Sequence, residues 1–476
     1  MGDHRDYRSL NERACACAAA IRKHDEMLIV SHIDADGLTA AAIASHALER
    51  SGITHSVRFV KQLDTNIIGE VADANIPTIF TDLGSGMLSD MPHDLDIVVA
   101  DHHQIDQNGD LEHHLNPHLF GIDGSTEMSG AGCAYMIAQS LGENTGNTGN
   151  TGNAGNRDLS SLAIVGAVGD LQARRFGKLV GCNRKILKRG RDCGVLEYGK
   201  DLSFFGKQTR EVFKLLMYSS DPYLPGLTGN EGASIGFLKS LGIEFRGERW
   251  KRWIDLSEEE KQKVVSSLVQ LCISKRMSPY HIHRLVTEVY QLSKEQEGTE
   301  MRDASEYATL LNATGRYGSA EVGLAVCLGD RDKKLVEAHN LLKKHRKHLV
   351  DGLKLVRDRG ITELDHVQYF DAGSSIKDTI VGIVAGMSLT NSGNRNMPIF
   401  AFANSDDGLK VSARGTQGLI KQGLNLADAI GECAAKVGGT GGGHNIAAGA
   451  TIPSGTKDEF LELIDAAVGE QLSAGK

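Results

Sequence analysis

The residues best suited to chemistry are acids and imidazoles that follow short apolar runs. MLIVSHIDADG offers His32, Asp34 and Asp36; TIFTDLGSG offers Asp82; IVVADHH offers Asp101, His102 and His103. A fourth segment adds Asp170, which closes the apolar stretch Leu162 to Gly169. One acid after a strand is commonly a helix cap. Four such segments in one domain ask for more. Carboxylates brought within a few ångströms raise one another's pKa unless a cation neutralises them. Mixed carboxylate and imidazole ligation suits Mn²⁺ better than Mg²⁺, which prefers oxygen and keeps its waters. Two such ions about 3.5 to 4 Å apart can share a carboxylate and promote in-line displacement at phosphorus. The expectation is a site for two divalent cations, Mn²⁺ favoured and Mg²⁺ as the alternative.

The elements that must position these groups are legible around them. Met27 to Val30, Thr78 to Phe80 and Ile97 to Ala100 are short, β-branched-rich runs separated by segments long enough for crossover helices. That pattern reads as parallel strands of an α/β sheet. Ligands of such sheets gather at the carboxyl ends of the strands. The run 142–156, GENTGNTGNTGNAGN, has no apolar side chain beyond one alanine and reads as a mobile, disordered surface loop. From about Arg184 to Lys343 apolar residues recur at three- and four-residue spacing with few clear strands, and Trp250 and Trp253 read as packing residues. Strands return in VQYFDA, MPIFAFA and LKVSAR, alternating with helix-like segments. The expected organisation is α/β: an N-terminal parallel-sheet domain over 1–200, a mostly helical middle over 201–345 and a smaller C-terminal α/β domain over 346–476, with the active site in the cleft between the α/β units.

At 476 residues, of which 41% are hydrophobic, the chain is long enough for more than one core. A formal net charge of -9 argues against coating duplex nucleic acid by bulk electrostatics. Local basic clusters remain at Arg174 to Lys178, Arg184 to Arg191 and Lys343 to Lys347; taken singly, each reads as a solvated face. Eight cysteines without disulfide or zinc spacing, a polar beginning and no run near 20 apolar residues lead to the expectation of a cytoplasmic protein with no membrane partner.

HIDADG, the isolated Thr81-Asp82, ADHH and GAVGD together resemble the four ordered motifs of the DHH phosphoesterase superfamily, and within it the RecJ-like single-strand nucleases of the short archaeal type. The resemblance implies that His32 and Asp34 hold one metal, that Asp36, His102 and Asp170 hold the other, and that Asp82 bridges them. It further implies that Asp101 orients a neighbouring histidine and that His103 touches the substrate phosphate. Near the C-terminus, GGTGGGHNIAAGATIP supplies consecutive glycines whose backbone N–H groups can approach an anion, with His444 as a further donor. It resembles the GGGHxxAAG signature of the DHHA1 domain, which implies substrate-binding roles for Gly442, Gly443 and His444. Ser412 and Arg414 in VSARG are candidate phosphate contacts, a guanidinium offering two donors at once. Asn312 and Arg316 in LNATGRYG resemble a further RecJ element lining the strand path.

Three functional expectations follow. The first is an exonuclease on single-stranded DNA or RNA, acting in replication or repair. The second is a phosphodiesterase of short oligoribonucleotides or cyclic dinucleotides. The third is a replisome structural factor, because archaeal members of the family resemble partners of the GINS complex.

Overall fold

The computed structural model describes residues 6–106, 108–109, 111–143, 154–219, 222–243, 245–246 and 249–474. The chain divides into two compact units, Met1–Leu342 and Lys343–Lys476.

The first unit is built on five parallel strands, β1 (Glu26–His32), β2 (Thr54–Val60), β3 (Thr78–Thr81), β4 (Ile97–Ala100) and β5 (His114–Leu115), in the order β2-β1-β3-β4-β5. Helices α1 (Tyr7–Ile21), α2 (Ala35–Arg50), α3 (Thr65–Ala74), α4 (Gly130–Glu143) and α5 (Ser160–Gly169) cover it. Side chains alternate across the sheet. Ile29, Ile79 and Val98 join one core with residues of α1, α2, α4 and α5; Val30, Phe80 and Val99 join another with Ile68 and Val71 of α3. Fully buried Phe80 alone contributes about 2 to 3 kcal/mol of transfer free energy. Buried alanines at 40, 41, 42 and 47 give α2 a small-residue surface on which α4 and α5 pack closely. Strand order reverses between β1 and β3, the topological switch point where ligands of such sheets bind.

The middle of the chain is mostly helical, as expected, and is framed by one strand pair. Strands Leu196–Leu202 and Val286–Leu292 pair antiparallel and frame the segment between them. That segment has its own core around Phe204, Leu216, Trp253, Val264 and Leu268. Trp253 is buried, its indole N–H donating to Asp201. Helices Ala304–Arg316 and Ala320–Cys327 then return to pack on α2. Tyr307, Leu310 and Leu311 enter the first core, which is why the first unit continues to residue 342. The residues 144–153 of the glycine- and asparagine-rich run lie outside the described residues; Ala154–Leu159 is a short 3-10 helix.

The second unit carries a six-stranded sheet in the order Thr362–Glu363, Gln368–Asp371, Ile399–Ser405, Gly408–Arg414, Ala447–Ile452, Thr440–Gly443. Gln368–Asp371 and Ile399–Ser405 are parallel and the other pairs antiparallel. Phe400, Phe402, Val411 and Ala450 pack with Ile430, Phe460 and Ile464 from helices Leu426–Lys436 and Lys457–Ala474. Phe370, Ile399 and Ala401 pack on Ile380 and Val384 of helix Asp378–Asn391. Among the described residues no helix is long and apolar enough to cross a membrane, and all eight cysteines are free thiols.

Candidate metal centre

The loops leaving β1, β3 and β4 and the end of α5 bring six side chains together. His32 Nδ1 lies 3.2 Å from Asp34 Oδ2 and 3.6 Å from Asp82 Oδ2. His102 Nε2 lies 3.3 Å from Asp82 Oδ1, 3.2 Å from Asp170 Oδ2 and 3.7 Å from Asp36 Oδ2. Two ligand groups result, His32/Asp34/Asp82 and Asp36/His102/Asp170, with Asp82 turning one oxygen to each. His103 also falls within reach of Asp82 and His102 as a third grouping.

Local backbone chemistry makes the arrangement possible. Asp34 is the N-cap of α2, its Oδ1 accepting from Gly37 N at 3.0 Å, so cap and site residue are one side chain with two faces. Gly37 abuts the backbone of His32, where a Cβ would come within 2.6 Å of the carbonyl carbon. Asp36 is fully buried and accepts from Gly130 N at 2.7 Å and Ala131 N at 3.1 Å, at the amino end of α4 where a negative charge is welcome. Asp82 has φ +59°, a left-handed conformation that costs about 1 to 2 kcal/mol in a non-glycine residue. A Cβ on Gly130 would lie 2.6 Å from Asp82 Oδ1, so the glycine leaves room for the carboxylate. Asp170 sits at the carboxyl end of α5, where the helix dipole disfavours an anion. A buried acid held there against the dipole calls for positive charge nearby.

The electrostatics agree. Burial, and after it the charges of Asp82 and Asp170, push the Asp36 carboxyl well above its usual value. Asp170 is raised, burial outweighing the hydrogen bond and charge of His102. Burial opposes the charged form of His102, yet the close carboxylates of Asp170 and Asp82 hold its pKa well above the ordinary value. The pocket therefore draws a cation to this point. Its Nδ1 pairs with Gly124 O at 2.7 Å, which, for a neutral ring, leaves the Nε2 lone pair facing three acids. His102 Nε2 and Asp82 Oδ1 are buried without a hydrogen-bond partner. Orphaned acceptors of this kind, in a mixed carboxylate and imidazole set, fit divalent cations.

Asp101 is fully buried and accepts from Ser85 N at 2.9 Å, His102 N at 2.7 Å and His103 Nδ1 at 2.8 Å. Burial would raise its pKa, but the bonds and charges of the histidines hold it far below the usual range. His103, half exposed, is raised in turn: burial lowers it, and the Asp101 hydrogen bond and charge outweigh burial.

Asn312 and Arg316 come from the helix Ala304–Arg316, which packs against the first ligand loop. Asn312 Oδ1 accepts from Ala35 N at 3.0 Å, and Gly315 leaves no room for a side chain against the Ile33 carbonyl. The structure thus gives Asn312 an internal partner where a substrate contact was expected. Arg316 is largely buried, which lowers its pKa, and it feels the charge of Asp34.

In the second unit, Ser412, Gly449 and Gly442 stand in one row across three strands. Ser412 is buried, and Arg414 lies two residues along the same strand with its guanidinium against the position of Gly382 in helix Asp378–Asn391. At Gly442 an added Cβ would meet nothing. Gly443, at φ +141°, is different: a Cβ there would lie 2.7 Å from Ala448 Cα of its own sheet, so glycine is required by strand pairing before any ligand is considered. His444 is exposed in the turn that follows, its N–H donating to Ala447 O.

One set of positioning groups escapes sequence reading. Gln172, buried two residues after Asp170, donates to Gly124 O at 2.8 Å and accepts from Asn183 Nδ2 at 2.7 Å. It fixes the carbonyl that fixes the His102 ring. A glutamine placed just after a candidate ligand was the only signal available.

Comparison with known proteins supplies the relatives. Residues 204–286 match the DHH-CID domain and residues 365–470 the DHHA1 domain. The uncharacterized protein MJ0831 of Methanocaldococcus jannaschii is 30% identical over 453 residues, covering 93% of each chain. Among solved structures, exonuclease RecJ bound to manganese superposes with a TM-score of 0.59 at 18% identity, covering 98% of this chain and 96% of that one. RecJ of Thermus thermophilus in complex with Mn²⁺ gives 0.60 at 18% identity; this chain covers 55% of its length, with 97% of its own matched. CDC45 of Entamoeba histolytica gives 0.61 at 11% identity, with 97% and 98% covered.

Proposed function

We propose that this chain, which belongs to the RecJ-like DHH phosphoesterases, is a metal-dependent exonuclease that hydrolyses phosphodiester bonds of single-stranded DNA or RNA. The observation that carries the reading is the pair of buried orphan atoms, His102 Nε2 and Asp82 Oδ1, at the junction of two ligand groups. His32 and Asp34 would hold one divalent cation, Asp36, His102 and Asp170 a second, and Asp82 both. Such cations supply Lewis-acid polarisation of phosphate and water, with Mn²⁺ favoured over Mg²⁺ by the imidazole ligands.

The chain's own groups do the rest. Asp101 stays ionised and anchors the His103 imidazole through Nδ1, leaving Nε2 outside that bond. The Asp101 carboxylate beside it favours the charged form of His103, which would donate to a non-bridging phosphate oxygen. Arg316 adds fixed positive charge beside Asp34. In the second unit, Arg414 and the bare backbone at Gly442, with His444 beyond it, form the grip on the substrate strand; buried Ser412 supports it from beneath.

Digestion of end-labelled DNA and RNA in a length series, with Mn²⁺ or Mg²⁺, tests the reading. Progressive shortening of long single strands is the expected result. Activity confined to dimers and trimers would transfer the assignment to a phosphodiesterase of short oligoribonucleotides. A role in replication, through a GINS partner, draws support from the fold shared with CDC45. Retention of GINS binding by an inactive Asp36→Ala variant is the outcome that separates that role from catalysis.

A further inference from the structure

Helix α5 ends in an unusual way. After Asp170, Leu171 N donates to Val168 O at 3.0 Å and Gln172 N to Ala167 O at 3.1 Å, the bond pair of a helix closed by a left-handed residue. That position ordinarily belongs to glycine, yet here a leucine adopts φ +58°. Burial gives no compensation, because Leu171 is 60% exposed.

Further exposed side chains follow within seven residues. Arg174, Arg175, Phe176 and Lys178 are exposed, and the Arg175 guanidinium lies 5.2 Å from the centroid of the Phe176 ring. This loop is tied at three points. Arg174 N donates to Leu171 O at 2.8 Å, Gln172 is buried against Gly124 O, and Gly177 O accepts from Glu288 N at 2.9 Å. Two large apolar side chains are therefore exposed on a loop tethered by hydrogen bonds, with cationic side chains among them. The presentation begins one residue beyond a carboxylate 3.2 Å from His102 Nε2.

Exposed apolar and aromatic side chains interleaved with arginine and lysine match the needs of an unpaired nucleotide, whose base has a face to stack and whose phosphate has a charge to hold. We propose that Leu171 and Phe176 form a stacking step for the bases next to the scissile phosphate, with Arg175 and Lys178 as its electrostatic rim. This rests on the nucleic-acid reading above. A protein partner on the same loop is the competing occupant.

Leu171→Gly separates the proposal from folding, because glycine accepts φ +58° more readily than leucine and the melting temperature should hold or rise. Phe176→Ala is the companion. The readout is kcat/KM on single-stranded oligonucleotides divided by kcat/KM on bis(p-nitrophenyl) phosphate, which has no base. Each variant should lower that ratio roughly tenfold through KM. An abasic site in the terminal nucleotides should cost the wild type about as much and cost Leu171→Gly little more. Unchanged ratios in both variants, with an active wild-type nuclease, overturn the stacking step alone and leave the loop to a protein partner. A wild type that cleaves bis(p-nitrophenyl) phosphate but no oligonucleotide overturns the parent reading, and the step falls with it.

Discussion

The carboxyl end of the first sheet and the glycine strand of the second are both candidate binding regions, and they are made in opposite ways. The first is buried and over-determined: Asp36, Asp82, Asp101 and His102 are each less than a tenth exposed, and one of them sits in a left-handed conformation. The second is open, with Thr440–Gly443 exposed along its whole length and no space filled above Gly442. The difference separates two tasks. Placing charges at fixed spacing needs support from every side, whereas an open backbone would suit a ligand whose own shape varies.

The contrast can be broken by substitutions on either side. Asp82→Asn removes the one charge that faces both ligand groups, and a loss of about 10³-fold or more in phosphodiesterase turnover with Mn²⁺ is expected. Near wild-type turnover would mean that the oxygens are not shared. The next effect comes from Glu306, a fully buried acid away from the cluster that accepts from Gln208 N at 2.9 Å and Thr209 Oγ1 at 2.5 Å. Burial, then repulsion from Asp303, raises its pKa from 4.5 to about 7. The folded state thus holds a proton that the unfolded chain has lost between these values. Stability should be full below pH 4.5, fall by about 3 kcal/mol as pH rises toward 7, and level off above. Glu306→Gln should flatten that slope in urea titrations across pH, and an unaltered slope would locate the titration elsewhere.

Asn312→Ala sharpens the claim that support is what distinguishes the first region. Losing the bond to Ala35 N should weaken Mn²⁺ binding by about 10- to 100-fold in calorimetric titration, with the melting temperature of the metal-free protein little changed. An unchanged affinity would return Asn312 to the substrate path. The smallest effects lie in the glycine strand. Gly443→Ala should destabilise the protein by about 1 to 2 kcal/mol through its clash with Ala448, whereas Gly442→Ala should leave stability alone and raise KM a few-fold. Equal behaviour of the two variants would show that the open face at Gly442 is not used.

The parts of the fold that could be read from the sequence are those whose cause is local. His32, Asp82 and Asp101 sit at or just after strand ends because apolar runs of four or five residues announce the strands and their ends. Asp170 is found by the same logic at the end of an apolar helix. What could not be read depends on distant partners. The antiparallel pair Leu196–Leu202 and Val286–Leu292 joins segments of ordinary composition, so its pairing has no local signal. The return of Ala304–Arg316 to α2 is set by packing, and the partner of Asn312 lies 277 residues away. Gly443 carries a second requirement that its motif did not announce: beside Ala448 its position has no room for a Cβ, whatever ligand approaches it.

The bond from Asn312 to Ala35 also orders events in time. Synthesis runs at roughly 5 to 20 residues per second, so the 277 residues between them take about 14 to 55 s. Throughout that interval the nascent chain carries the first acidic loop without the side chain that pins it. The earliest part of the site to be made is thus the last to be secured, and a chain released before residue 312 would carry all six acids and histidines of the cluster but not the bond that holds their first loop.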